Sequence, residues 1–101
     1  MKKFSMVVHS SLQQALSDYL RSQQLETFMF SHIEEHSSHV EKDSFLSARD
    51  KVVGYVPQVR VDVILNQEDI KSLLENIKNS DCSFKGKGFY WVTDIDEFGE
   101  L

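Results

Sequence analysis

Thr27-Phe28-Met29-Phe30-Ser31-His32-Ile33-Glu34 and Val59-Arg60-Val61-Asp62-Val63-Ile64-Leu65 are two strand-like runs on either side of a polar connector. In the first, Phe28 and Phe30 share one face and Met29 and Ile33 the other. In the second, Val59, Val61, Val63 and Leu65 alternate with Arg60, Asp62 and Ile64. Both show the two-residue period of a half-buried strand. The connector, residues 37–56, is about twenty residues long, where connections in compact domains usually take about 4–6, and such a length is more often functional than idle. Ser37 to Asp43 is polar without periodicity and reads as a mobile tip. Ser44 to Val53 gathers Phe45, Leu46, Arg49, Val52 and Val53 on one side of a short predicted helix, stopped by Gly54 and Pro57.

A helix and a further strand flank this centre on each side. Phe4 to His9 reads as a strand with Phe4, Met6 and Val8 on one face. Ser10 and Ser11 each stand three residues before a Gln, as in a capping box. Leu12, Ala15, Leu16, Tyr19 and Leu20 then form the stripe of a helix lying on a sheet, with Gln13, Gln14, Ser17, Asp18 and Arg21 toward water. Downstream, Asn66 is the expected cap of a second helix, with Glu68 and Asp69 in its first turn and Ile70, Leu73, Leu74 and Ile77 as its apolar stripe. Phe89 to Ile95 reads as the last strand. The order strand-helix-strand, connector, strand-helix-strand predicts a single α+β domain over residues 1–101. Its fold is the ferredoxin-like βαββαβ arrangement, one antiparallel four-stranded sheet with both helices on one face.

If the helices cover Phe4, Phe28, Val61 and Trp91, the opposite face carries Val7, Met29, Ile33, Ile64, Tyr90 and Val92. A solvated sheet face should be polar. This excess predicts a homo-oligomer packed sheet to sheet.

The totals narrow the function. With 101 residues and 41% hydrophobic content, one packed core is expected. A formal charge of -5 is wrong for a nucleic-acid binder, which needs a basic stripe to release counterions. Cys82 is alone and cannot form an internal disulfide. Met1-Lys2-Lys3 imitates the start of a signal peptide, but the following apolar run is broken at Ser5 and His9. No run reaches the roughly twenty apolar residues of a membrane span. A cytoplasmic location, not inserted in a membrane, is the expectation.

Two clusters carry chemistry. His32, His36 and His39 lie among Glu34, Glu35, Glu41 and Asp43, and imidazole with carboxylate suits zinc or copper(II). His32 and His36 would stand about 13 Å apart in an extended strand, whereas a turn over His36-Ser37-Ser38-His39 would bring those two rings together. The same residues also fit a solvated polar loop. Lys85-Gly86-Lys87-Gly88 opens the last strand, where glycines let backbone approach an anion and lysines supply charge. It equally fits a glycine turn. Tyr90-Trp91 could stack on a base, but aromatics in a strand more often serve core or interface. Arg60 and Asp62 share a strand face, as a cross-strand or intersubunit ion pair would require. No nucleophile-base pair is recognisable, so a non-enzymatic role is expected.

His36-Ser37-Ser38-His39, Leu46-Ser47, Val52-Val53-Gly54, Val59-Arg60-Val61-Asp62-Val63 and Tyr90-Trp91-Val92, with Gly99 and Leu101, run the length of the chain. Through them it resembles the PII-like signal-transduction superfamily. Within it, the chain is similar to a small bacterial group found beside heavy-metal efflux pumps of the resistance-nodulation-division type. The resemblance implies a homotrimer with sheets packed inward. It implies that Ser37–Val56 corresponds to an effector-sensing loop that docks on a partner such as a membrane transporter. It also implies that Lys85, Gly86, Lys87 and Gly88 line an intersubunit nucleotide cleft, adenine nucleotides being the expected class. The alternative is a divalent-metal-binding trimer of the same fold that carries the ion on His36 and His39, with His32 nearby.

Overall fold

A computed structural model of the protein describes residues 1–37, 54–79, 84 and 86–101. Its elements are β1 (Lys2–His9), α1 (Gln13–Ser22), β2 (Met29–Glu35), β3 (Val56–Leu65), α2 (Gln67–Asn79) and β4 (Gly88–Asp94). A 3-10 turn at Ser10–Leu12 leads into α1. The predicted connector loop and its short helix lie outside the described residues, apart from Ser37.

All pairings are antiparallel, in the order β2-β3-β1-β4. The expected α+β, ferredoxin-like fold is what forms. Phe4, Met6 and Val8 stand opposite Val63, Val61 and Val59. These six close on Leu16 and Leu20 of α1 and on Ile70, Leu73 and Ile77 of α2, with Phe84 beside them. Both helices therefore bury their stripes on the same sheet face. Phe28 and Phe30 pack at its margin, their rings edge to face at 5.9 Å.

The face predicted for Trp91 is reversed. β1–β4 pairing sets Gly88 opposite Val8, Tyr90 opposite Met6 and Val92 opposite Phe4. Tyr90 and Val92 thus point to the helix side, and Phe89 and Trp91 to the open side. Gly88 supplies the reason. A Cβ there would lie 2.2 Å from the Val7 carbonyl oxygen and 2.9 Å from Val8 Cγ1, so only glycine fits opposite Val8. A slip of one residue exchanges the two faces of a strand, and this contact forbids the slip. Tyr90 confirms the assignment, with its ring 6.0 Å from Phe4 and the Lys78 ammonium of α2 5.4 Å from its centroid.

Smaller differences have local causes. The start of α1 is not capped by a Ser10 or Ser11 hydroxyl. Instead the Ser11 backbone N–H donates to His9 Nδ1 at 3.1 Å, and the chain takes one 3-10 turn before α1 begins. Replacing His9 by Ala should remove this cap and cost about 1 kcal/mol, whereas His9→Asn keeps an acceptor and should recover most of it. Urea midpoints of the three proteins measure the effect; equal midpoints would deny the cap any weight. Ser17 is buried rather than water-facing, and Ala15 is exposed. Asn66 caps α2 as expected, its Oδ1 accepting from Asp69 N–H at 2.9 Å. β3 starts at Val56, before the proline. Pro57 pairs with Glu34 of β2, while pairing to β1 stops at Gln58, so its missing N–H falls where the β1 side of the strand is vacant. At the opposite end Lys2 bonds to Asp94 across β1 and β4. That hydrogen bond, then the lysine charge, holds the Asp94 carboxyl below its usual range.

Candidate functional site

Four strand ends meet where the connector leaves the sheet: the C-termini of β1 and β2 and the N-termini of β3 and β4. They bring together residues far apart in sequence. His9, Ser11 and Leu12 come from the end of β1 and the turn after it, Glu35 from β2, and Val56 and Gln58 from β3. Gly86, Lys87, Gly88 and Phe89 complete a cleft of about 450 Å³. His9, Glu35, Gln58 and Phe89 share the open sheet face in this register. The cleft therefore sits at the root of the connector, on the side the helices leave bare. Its size is that of a small-ligand site.

The glycine turn is built for close approach. Gly86 has φ +75°, a left-handed conformation, and Lys87 N–H donates to the Phe84 carbonyl at 2.9 Å. Phe84 is buried and meets Tyr19 edge on at 5.8 Å, which ties the turn to the core. Gly88 is required by β1, as above. Both glycines thus have a structural reason, and the turn also puts Lys87 in the lining of the cleft. Lys85 lies outside the described residues.

Across the cleft the Gln58 side-chain amide donates to the Glu35 carboxylate, and Gln58 itself is only 9% exposed. Its Oε1 has no hydrogen-bond partner among the described residues. Sequence reading did not join His9, Glu35 and Gln58 to the glycine turn, since nothing but the meeting of strand ends relates them. It also found no nucleophile-base pair, yet Ser11 Oγ stands 2.9 Å from His9 Nδ1. The Ser11 backbone N–H uses the same ring nitrogen. An imidazole nitrogen has one lone pair, so the contact is a helix-start cap before it is a catalytic pair.

A roomier cavity of about 550 Å³ lies at the other end of the sheet, lined by Gln23, Glu26, Thr27, Asp69 and Asn76 among others. Its charged groups are acidic and it touches none of the predicted site residues. Of the two, only the smaller cleft is lined by Lys87, His9 and the glycine turn, which share it with the Glu35 carboxylate.

The predicted metal residues are only partly assembled. His36 Nε2 is 3.0 Å from Glu34 Oε1, and its ring is 5.6 Å from that of Tyr55, so His36 bridges the two ends of the connector. His32 sits exposed within β2 opposite Val59, on the helix side, and His39 lies outside the described residues. Among the described residues no three His, Cys, Asp or Glu side chains are grouped to hold a metal.

The family model described as a protein of unknown function (DUF3240) matches residues 2–101. The chain belongs to the DUF3240 family. No curated protein matches this DUF3240 chain. Among solved structures it is similar to CPII, a nitrogen regulatory PII-like protein from Thiomonas intermedia K12 bound to ADP, AMP and bicarbonate. That likeness has a TM-score of 0.67 at 16% identity, over 99% of this chain and 94% of CPII. The DUF3240 chain thus has a PII-like fold. Among the described residues no helix is long and apolar enough to cross a membrane.

Proposed function

We propose that the protein is a non-enzymatic PII-like sensor: a small effector binds in the cleft at the root of the connector, and the connector reports its presence to a partner. The cleft carries this reading, because it is lined by the glycine turn and also lies where both ends of the connector leave the sheet. An adenine nucleotide suits it. The Lys87 ammonium, with Lys85 beside it in sequence, would meet the phosphates, and Gly86 and Gly88 would let them approach the backbone. The likeness to an ADP- and AMP-bound protein supports that class. Copies would associate through the open sheet face as a homotrimer, each cleft lying against a neighbour. Residues 37–56 would dock on a membrane transporter, of a metal-efflux system, from the cytoplasm.

Calorimetric titration with ADP, AMP and ATP tests the site. The expected result is binding at micromolar to sub-millimolar concentration, weakened about tenfold or more by Lys87→Ala. No heat with any nucleotide at millimolar concentration would remove the nucleotide reading.

The contact between His36 and Glu34 favours a second reading, in which the protein carries zinc or copper itself through His36 and His39, with His32 as a further ligand. Stoichiometric sub-micromolar metal binding, lost in His36→Ala/His39→Ala and indifferent to nucleotide, would replace the first reading by this one.

A further inference from the structure

The open sheet face is apolar at its margins and polar along its middle. Met29, Phe89 and Trp91 are 53%, 50% and 38% exposed there. Between them β3 presents Arg60 and Asp62, whose neighbours across β1 are Val7 and Ser5. Ser5 is fully buried and its Oγ donates to Asp62 Oδ1 at 2.6 Å. Arg60 Nε donates to Asp62 Oδ2 at 3.1 Å, with the Arg60 side chain 37% exposed and that of Asp62 12%.

The donors and acceptors do not balance. A guanidinium carries five N–H groups, and this one uses its Nε–H on Asp62. Among the described residues its two terminal nitrogens have no partner. Asp62 takes one bond on each oxygen and has lone pairs to spare. Covering this face with apolar surface alone would strand the outer edge of the guanidinium, at a heavy cost. A covering surface must therefore bring hydrogen-bond acceptors to that edge, and carboxylate oxygens match it best in both charge and geometry. Of the two described carboxylates on this face, Glu35 lies at the connector end and already holds Gln58. Asp62 lies beside Arg60 on the same strand. One stripe holds both the unused donors and the unused acceptors, so it is complementary to itself.

We propose that, where copies meet through the open face, Arg60 of each copy binds Asp62 of the next. Ser5 and Asp62 hold the guanidinium so that its outer edge faces the neighbour. The repeated pairs fix the register of an interface whose apolar margins would tolerate sliding. This rests on the reading that copies associate through that face.

The test is self-sorting. Differently tagged wild-type and R60D/D62R chains are unfolded together, refolded and weighed by native mass spectrometry. The exchanged pair preserves the contact within a chain and between like chains, but sets like charges together between unlike ones. Assemblies of one kind only are expected; mixed assemblies in statistical proportion would overturn the proposal. Should the exchanged chain fail to fold, R60K decides. Lysine retains the charge for Asp62 within the chain but loses the planar fork, so the dissociation constant should rise about tenfold or more. An unchanged constant would overturn the proposal. A wild-type chain that is monomeric at tens of micromolar would overturn the association itself, and this inference with it.

Discussion

Trp91→Glu is expected to break the proposed assembly into single chains, raising its dissociation constant at least about a hundredfold. Trp91 stacks on Phe89 with ring centroids 6.0 Å apart, and both project from the face opposite the helices. Tryptophan is the commonest residue whose truncation costs an interface about 2 kcal/mol or more, and a carboxylate adds the cost of burying a charge without a partner. The same side chain contributes little to the fold of one chain, because the core lies on the other side of the sheet. Light scattering should therefore show a monomer, with an unchanged circular dichroism spectrum. A mutant that keeps the wild-type mass at low micromolar concentration would show that this face is not where copies meet.

Gly88→Ala should act on the chain itself. The added methyl group would meet the Val7 carbonyl oxygen at 2.2 Å, and that oxygen belongs to the backbone of β1. Neither strand can yield without spoiling the pairing that begins opposite Val8. Overpacking of this kind costs about 1–3 kcal/mol, occasionally more, and the damage should spread along β4, an edge strand exposed at every residue. Gly86→Ala is the control. Its φ of +75° strains an alanine, but there is open space around it, so the cost should be about 1–2 kcal/mol and stay within the turn. Amide exchange along β4 separates the two: accelerated throughout in Gly88→Ala, accelerated only near the turn in Gly86→Ala. Equal exchange in both would mean that the close approach of β1 does not set the register.

Much of this architecture is legible in the sequence, and the exceptions are instructive. Leu16, Leu20, Ile70, Leu73 and Ile77 announce two helices on a sheet because each stripe is clean and its opposite side polar. Phe89-Tyr90-Trp91-Val92 announces a strand but not its faces. With apolar residues on both sides, alternation has no contrast, and Gly88 decides the orientation through a contact with β1. The start of α1 offered two serines of good capping propensity, but the side chain that caps is His9, and it caps the 3-10 turn ahead of the helix while α1 itself has no side-chain cap. Arg60 and Asp62 are legible as charged residues of one strand face, but instead of the expected cross-strand pair they bond to each other along β3. The third member, Ser5, lies 57 positions away from Asp62 and follows only from strand order. The cleft is of the same kind: Lys87 and its glycines show in the sequence, while His9, Glu35 and Gln58 join them only once four strand ends meet.

Coupling of the connector to a ligand in the cleft is the central claim, and limited trypsin digestion reads it directly at Lys42, Arg49 and Lys51. With the protein at tens of micromolar, ADP should change the rate of cleavage at these sites several-fold. Lys87→Ala should need about tenfold more ADP or greater for the same change. Identical cleavage with and without millimolar ADP, while calorimetry shows the nucleotide bound, would contradict a sensor in which cleft and connector are coupled.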